Sequence, residues 1–217
     1  FLSAASIISL FILFFLFSTN SRAEENNIKH YSNDEGVLSI MYHRFDEFKY
    51  PSTNIQMNIF LNHIELVNEL NYEFIHPEDF KKDFKTPKKQ KKILLTIDDG
   101  FKSFYDVAWP FLKRNKIPFI LFVSTEPVGN NGYMTWEQIK EVNKESFAII
   151  GHHSHTHDYL IEESNEKFIQ DIEKASSIFK KELGYIPNLF SYPFGEYSEF
   201  QRNYISKNFD FGFGQHS

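Results

Sequence analysis

The chain has 217 residues, 23 basic against 29 acidic side chains for a net charge of −6, and no cysteine. That length suffices for one domain with a sizeable core, and the acidic balance lacks the basic stripe a nucleic-acid surface needs. The missing cysteines exclude disulfides, a thiol nucleophile and thiolate-bound zinc, so any metal site must be built from His and carboxylate. Hydrophobic content of 41% and aromatic content of 18% are those of a folded chain.

Ile7 to Phe17 is almost wholly apolar but shorter than the ~20 residues of a membrane-spanning helix. Ser21-Arg22-Ala23 follows, with small residues at −3 and −1 of a cut before Glu24. Residues 1–23 therefore have the form of a secretory signal peptide that begins inside the signal, an uncleaved anchor being the alternative. The expectation is an exported protein, periplasmic or extracellular. Residues 24–35 read as a polar linker and 36–217 as the functional domain, expected to be cut short because no closing signal follows Gly214.

Within that domain, short apolar runs read as buried strands at Val37–Tyr42, Glu73–Ile75, Ile93–Asp98, Pro118–Val123, Phe147–Gly151, Asn188–Tyr192 and Phe209–Phe213. Between them, helical spacing covers about 56–70, a short helix opens at Pro77, and another runs from Ser103 to Asn115. A short helix follows with Thr135 as N-cap, then a long amphipathic helix from Ser164 to Leu183 closed by Gly184, then one near 197–206. Lys81, Lys82, Lys88, Lys89, Lys91 and Lys92 form a local basic patch that reads as a solvated connector. Strands alternating with helices predict an α/β fold with a parallel, barrel-like sheet. No Gly-x-Gly-x-x-Gly follows the first strand, which argues against a dinucleotide site.

The reactive residues cluster at strand ends, where such sheets carry their chemistry. Asp98-Asp99-Gly100 ends the third strand, and two adjacent carboxylates there call for a compensating cation. His152-His153-Ser154-His155-Thr156-His157 ends the fifth. His153 and His157 lie four apart, so one helical turn would bring them to one face. His153 with His155, or His152 with His157, remain open on spacing alone. Two of these histidines with one carboxylate make a three-ligand site that leaves a position open for water.

Thr96-Ile97-Asp98-Asp99-Gly100, His153-Ser154-His155-Thr156-His157 and Ser191-Tyr192-Pro193-Phe194-Gly195 resemble the first three motifs of polysaccharide deacetylases, the NodB-homology or carbohydrate esterase family 4 group. The resemblance covers about residues 36–217. It implies a distorted (β/α)7 barrel and a hydrolase that removes N-acetyl groups from a GlcNAc-containing polysaccharide. It implies Asp98 as general base and Asp99, His153 and His157 as ligands of a divalent metal, usually zinc. The backbone N–H of Phe194 would hold the oxyanion, and Tyr192 and Tyr197 would lie near enough the rim to contact sugar. Family members usually draw the general acid from a C-terminal Leu-x-His, which is missing here. Met41-Tyr42-His43 instead resembles the permuted arrangement of poly-N-acetylglucosamine deacetylases, which makes His43 the expected acid and His216 the other candidate. Ser191 stands where the third motif usually has the arginine that orients the base, and no fourth motif is found; Trp136 at the start of a helix reads as core rather than site. An O-acetyl esterase, or a catalytically silent polysaccharide-binding protein of the same fold, are the competing readings. No nucleic acid and no protein partner is implied.

Overall fold

The computed structural model describes residues 36–85 and 91–215. The expected signal and linker, Lys88, Lys89 and His216 lie outside these residues. In chain order the strands are β1 (Val37–Tyr42), β2 (Arg44–Phe45), β3 (Asn54–Ile55), β4 (Glu73–Phe74), β5 (Lys92–Ile97), β6 (Phe119–Val123), β7 (Ala148–His152), β8 (Leu189–Ser191) and β9 (Phe211–Phe213). The helices are α1 (Met57–Glu69), α2 (Pro77–Lys85), α3 (Trp109–Asn115), α4 (Trp136–Asn143), α5 (Asn165–Leu183) and α6 (Glu199–Asn208), with a π-helical turn, Phe104–Ala108, leading into α3.

Seven strands form one parallel sheet in the order β1-β5-β6-β7-β8-β9, with β4 also on β5. β5 pairs with β1 along its whole length; its other edge takes β4 at the start and β6 at the end. These are the seven strands expected from the sequence. The short β2–β3 ladder falls where the sequence reads as loop, because two residues carry no periodic signal. The sheet curls into a half-barrel, so that Val37, Ser39 and Met41 of β1 and Phe211 and Phe213 of β9 line one cavity, although four strands separate them in the sheet. Among the described residues no pairing closes β1 onto β9.

The helices are held more by packing than by their ends. On α5, Phe168, Ile172, Ala175 and Phe179 form one buried stripe. Each large apolar side chain buried there contributes about 1.5–3 kcal/mol, against about 1 kcal/mol for the Ser164 N-cap. Gly184 ends the helix at φ 85°, the left-handed conformation expected of it. Thr135 caps α4 through a reciprocal bond with Gln138, and Ser198 and Gln201 do the same for α6. Trp136 packs edge-on against Phe179, as a core residue.

The pleat sorts every strand residue to one of two sides. Leu95, Ile97, Phe119, Leu121, Val123, Ala148 and Ile150 face outward into the core beneath α1, α3, α4 and α5. Leu94, Ile120, Phe122 and Leu189 face inward with Phe80 from α2, and Val37, Ile149, Phe211 and Phe213 pack against them. The register pairs Phe122 with Gly151, so a Cβ at Gly151 would stand 2.3 Å from the Phe122 ring. His152 lies on the outward side, against the rings of Phe179, Phe190 and Phe209. Its Nδ1 accepts from the Ser154 N–H at 3.1 Å, so Nε2 carries the proton and donates to the Ile172 carbonyl at 3.3 Å. Burial, with a small contribution from His153 and opposed by the Ile172 carbonyl, pushes its pKa down to about 3.

Two outcomes follow from this packing. Gly151→Ala should destabilise the domain by about 1–3 kcal/mol, and adding Phe122→Leu should recover part of the loss in urea denaturation; a fully stable Gly151→Ala protein would contradict the contact. His152 stays neutral when folded down to about pH 3 but gains a proton near 6.5 when unfolded. Its contribution is therefore complete above pH 6.5 and is lost as pH falls toward 3, amounting to about 2 kcal/mol between pH 6.5 and 5. Urea midpoints of the parent and of His152→Leu across this range should diverge in slope, the variant being less sensitive to acid.

Candidate active site

The inward parity of β5, β7 and β8 brings three sequence motifs to one end of the half-barrel. Asp98 follows β5 directly, and its N–H donates to the Tyr42 carbonyl at 2.9 Å, extending the β1–β5 ladder by one step. His43 is thereby set beside Asp98 and lines the same cavity. The chain then turns at Asp99 and Gly100, both at left-handed φ (74° and 71°). Asp98 and Asp99 are 3% and 8% exposed.

His153 lies one residue past β7 on the inward side, and His152 faces the other way. A one-residue change of face thus decides between them. His153 Nδ1 donates to the Ser191 carbonyl at 2.8 Å, which leaves Nε2 pointing at Asp99 Oδ1, 3.2 Å away. His157 Nε2 approaches the same oxygen at 2.9 Å. No helical turn unites the two histidines, contrary to the spacing argument. Residues 153–159 form a loop, with Ser154 at φ 70° and His157 at φ 60°. His155 points elsewhere: its Nδ1 meets Thr125 Oγ1 at 2.7 Å, and its buried Nε2 has no hydrogen-bond partner. Of the pairs the spacing left open, the structure selects His153 with His157.

One atom each from Asp99, His153 and His157 lies within 4.8 Å of the others, and among the described residues this is the one such group able to hold a metal. The donor set suits a divalent cation. A neutral His153, with its Nδ1 proton spent on Ser191, turns a lone pair toward a carboxylate oxygen that is itself buried and without a proton donor. Nearby charge answers in the same sense. Burial would raise the Asp99 carboxyl, but His153 and His157 outweigh it and hold the carboxyl well below the usual range. Burial would lower His153, but the carboxylates of Asp99 and Asp98 beside it outweigh burial and raise it.

Asp98 has the opposite environment. Burial, helped by Asp99, raises its carboxyl above the ordinary range although His153, His43 and the Ser191 hydroxyl pull the other way. Its Oδ2 accepts from Ser191 Oγ at 3.0 Å and lies 3.9 Å from His153 Nε2. Its Oδ1 is buried without a partner. Ser191 thus holds both groups, the base candidate through its hydroxyl and His153 through its carbonyl.

Phe194 sits at the rim in a short 3-10 turn, Pro193–Gly195, at φ 59° and 55% exposed. Its ring meets those of His157 and Tyr159 at 5.1 and 5.4 Å between centroids. Tyr192 reaches the cavity wall, but its ring is buried among Phe190, Tyr197 and Ile205. Tyr197 stacks on it at 4.5 Å. The cavity between β1 and β9 measures about 790 Å³ and is lined by His43, Asp98, Asp99, His153, His157 and Phe194, over a floor that includes Phe122 and Phe213. A second cavity, about 450 Å³, opens on the other side of Asp99 and His157 beneath Phe101, Glu126, Asn130 and Tyr133. The sequence reading did not single out these wall residues, nor Asp171, which bonds the histidine loop from α5. An acid within an amphipathic helix gives no signal of its own.

Residues 85–209 match the model of the polysaccharide deacetylase family. A Bacillus subtilis protein named for the same family, YxkH, is 27% identical over 164 residues, 74% of this chain and 57% of that protein. The poly-beta-1,6-N-acetyl-D-glucosamine N-deacetylase of Staphylococcus aureus is 25% identical over 192 residues, 75% of this chain and 66% of that protein. The chain thus spans somewhat under two thirds of the length of these relatives. Among solved structures, IcaB from Ammonifex degensii superposes with a TM-score of 0.73 at 26% identity over 81% of each chain. The Streptococcus pyogenes deacetylase PplD shares the fold, with a TM-score of 0.74 at 21% identity over 83% of this chain and 84% of that one. With a family match over more than half its length, and with the motif residues of that match gathered at one end of the half-barrel, the chain belongs to the polysaccharide deacetylase family.

Proposed function

We propose that this protein is a metal-dependent hydrolase that removes N-acetyl groups from a GlcNAc-containing polysaccharide. The observation that carries this reading is the convergence of Asp99, His153 and His157 on one point, with Asp98 buried alongside. A divalent cation held by these three residues, zinc in the family the motifs resemble, would polarise the acyl carbonyl and lower the pKa of a water.

The chain's own residues then divide the proton transfers. Asp98, with its unpartnered Oδ1 and a raised carboxyl, takes a proton from the attacking water. Ser191 keeps that carboxylate in place with a neutral hydroxyl in the role the arginine usually has. The backbone N–H of Phe194 is the candidate donor to the developing oxyanion. The C–N bond breaks only if the amine leaves protonated, and His43, in the cavity wall beside Asp98, is the candidate acid. Water and the acetamide become acetate and a free amine. The GlcNAc polymer is favoured by the Staphylococcus aureus relative.

Acetate release should be measured on poly-N-acetylglucosamine oligomers, chitooligomers, peptidoglycan and acetylated xylan, with added zinc and with a chelator. Activity on a GlcNAc polymer should vanish with the chelator. Asp98→Asn should lower turnover by about 10²–10⁴-fold with metal still bound; parental activity would reject Asp98 as base. His43→Ala should lose more on the amide than on an acetate ester, since an alkoxide leaves with less help. Equal losses would remove His43 as the acid. We also propose export, on the apolar Ile7–Phe17 run and the Ser21-Arg22-Ala23 site. Protein secreted from a host that expresses the chain behind an initiating Met should begin at Glu24, and retention of the whole leader in the cytoplasm would overturn this.

A further inference from the structure

Asp171 lines neither cavity, yet it makes three hydrogen bonds to the loop that carries His157. It lies on α5 next to the buried Ile172. Its Oδ1 accepts from the His155 N–H at 2.7 Å; its Oδ2 accepts from the Thr156 N–H at 3.0 Å and from Thr156 Oγ1 at 2.9 Å. Thr156 Oγ1 in turn accepts from the Asp158 N–H at 3.2 Å, and Ser154 Oγ accepts from the His157 N–H at 3.1 Å. Four consecutive backbone donors thus end on side chains, three of them on Asp171 and the threonine it holds. On the opposite side of the loop, the carbonyls of Ser154 and His155 accept from the N–H groups of Thr125 and Glu126.

We propose that Asp171 is a positioning residue of the metal centre, a clamp that keeps His157 Nε2 at Asp99. The inference rests on the reading of Asp99, His153 and His157 as a cation site. Its physical basis is the backbone. Ser154 and His157 both occupy the left-handed region, which non-glycine residues keep only where the surroundings over-determine it. Charge-assisted bonds to backbone N–H groups are about twice as strong as neutral ones, and Asp171 supplies two of them between the two strained residues. His153 does not depend on this clamp. It follows β7 directly and is fixed by the Ser191 carbonyl. Loss of Asp171 therefore frees one ligand of three and leaves the other two in place, an effect different from general unfolding.

The test is metal affinity of the full chain, by calorimetric titration with Zn2+ and by the visible absorption of bound Co2+, alongside urea denaturation in chelator. Outer partners of metal ligands typically contribute 10–100-fold in affinity. Asp171→Ala should weaken Zn2+ binding by about that factor, and the Co2+ spectrum should change as one of its three protein ligands is freed. Asp171→Asn, which keeps one acceptor oxygen for the His155 N–H, should fall between the alanine variant and the parent. Should Asp171→Ala not fold, Thr156→Val carries the test, since it deletes only the two bonds of the hydroxyl; a several-fold weaker Zn2+ affinity is expected and parental affinity would overturn the clamp. A folded Asp171→Ala that binds Zn2+ as tightly as the parent would overturn it as well. Failure of the parental chain itself to bind Zn2+ or Co2+ would overturn the reading of the centre, and the clamp with it.

Discussion

A buried carboxylate oxygen facing two imidazole nitrogens is the constraint on which the rest of this site depends. Asp99 Oδ1 has His153 Nε2 at 3.2 Å and His157 Nε2 at 2.9 Å, and the ring proton of His153 is committed to the Ser191 carbonyl. Burying an uncompensated charge is costly, so such groups are paired or bind metals. Positive charge must enter this point, and the surrounding framework is arranged to keep the three donors aimed at it. Ser191 fixes one imidazole, the loop bound to Asp171 fixes the other, and the turn at Asp99-Gly100 presents the carboxylate.

The framework stores strain where this aim is set. Of the seven non-glycine residues with positive φ among those described, Asp99, Ser154, His157 and Phe194 lie at the site. Each such conformation costs on the order of 1–3 kcal/mol. The sheet behind them is the compensating mass. Leu94, Leu95, Ile97 and the five residues of β6 are buried on both faces of a parallel sheet, and they anchor the strand ends from which the strained turns start. The geometry is rigid below and bent sharply above, a division that suits pre-organised chemistry.

Adjacent carboxylates acquire opposite properties from surroundings that differ by one residue. Asp99 meets two imidazoles and is held ionised; Asp98 is wholly buried, has only a neutral hydroxyl as its bonded partner, and is raised. Pairs whose environments push their proton affinities apart are the pattern by which one site separates a ligand from a base. The Ser191 hydroxyl fixes the Asp98 carboxyl without adding a counter-charge. A guanidinium there would stabilise the anion of Asp98 and make it a weaker base.

Much of the fold was legible before any coordinates. Strands at 37–42, 93–97, 119–123 and 148–152 are short, mainly apolar runs, and Thr135, Ser164 and Gly184 mark helix ends by their own chemistry. Asp98, Asp99 and the histidine cluster were legible as well, because polar residues that directly follow a doubly buried strand have few structural reasons to be there. What residue spacing alone could not decide was which two of the four histidines face the carboxylates. That depends on strand parity at Gly151–His153 and on a loop whose path is set by Asp171, 14 residues downstream of His157 on another element. Nor could it show Ser191 reaching Asp98 across 93 positions, or the cavities between walls far apart in the chain. Local patterns record which face a residue presents to its own element. Which distant residue it meets is set by the curl and register of the sheet, and these exist only once the whole chain has packed.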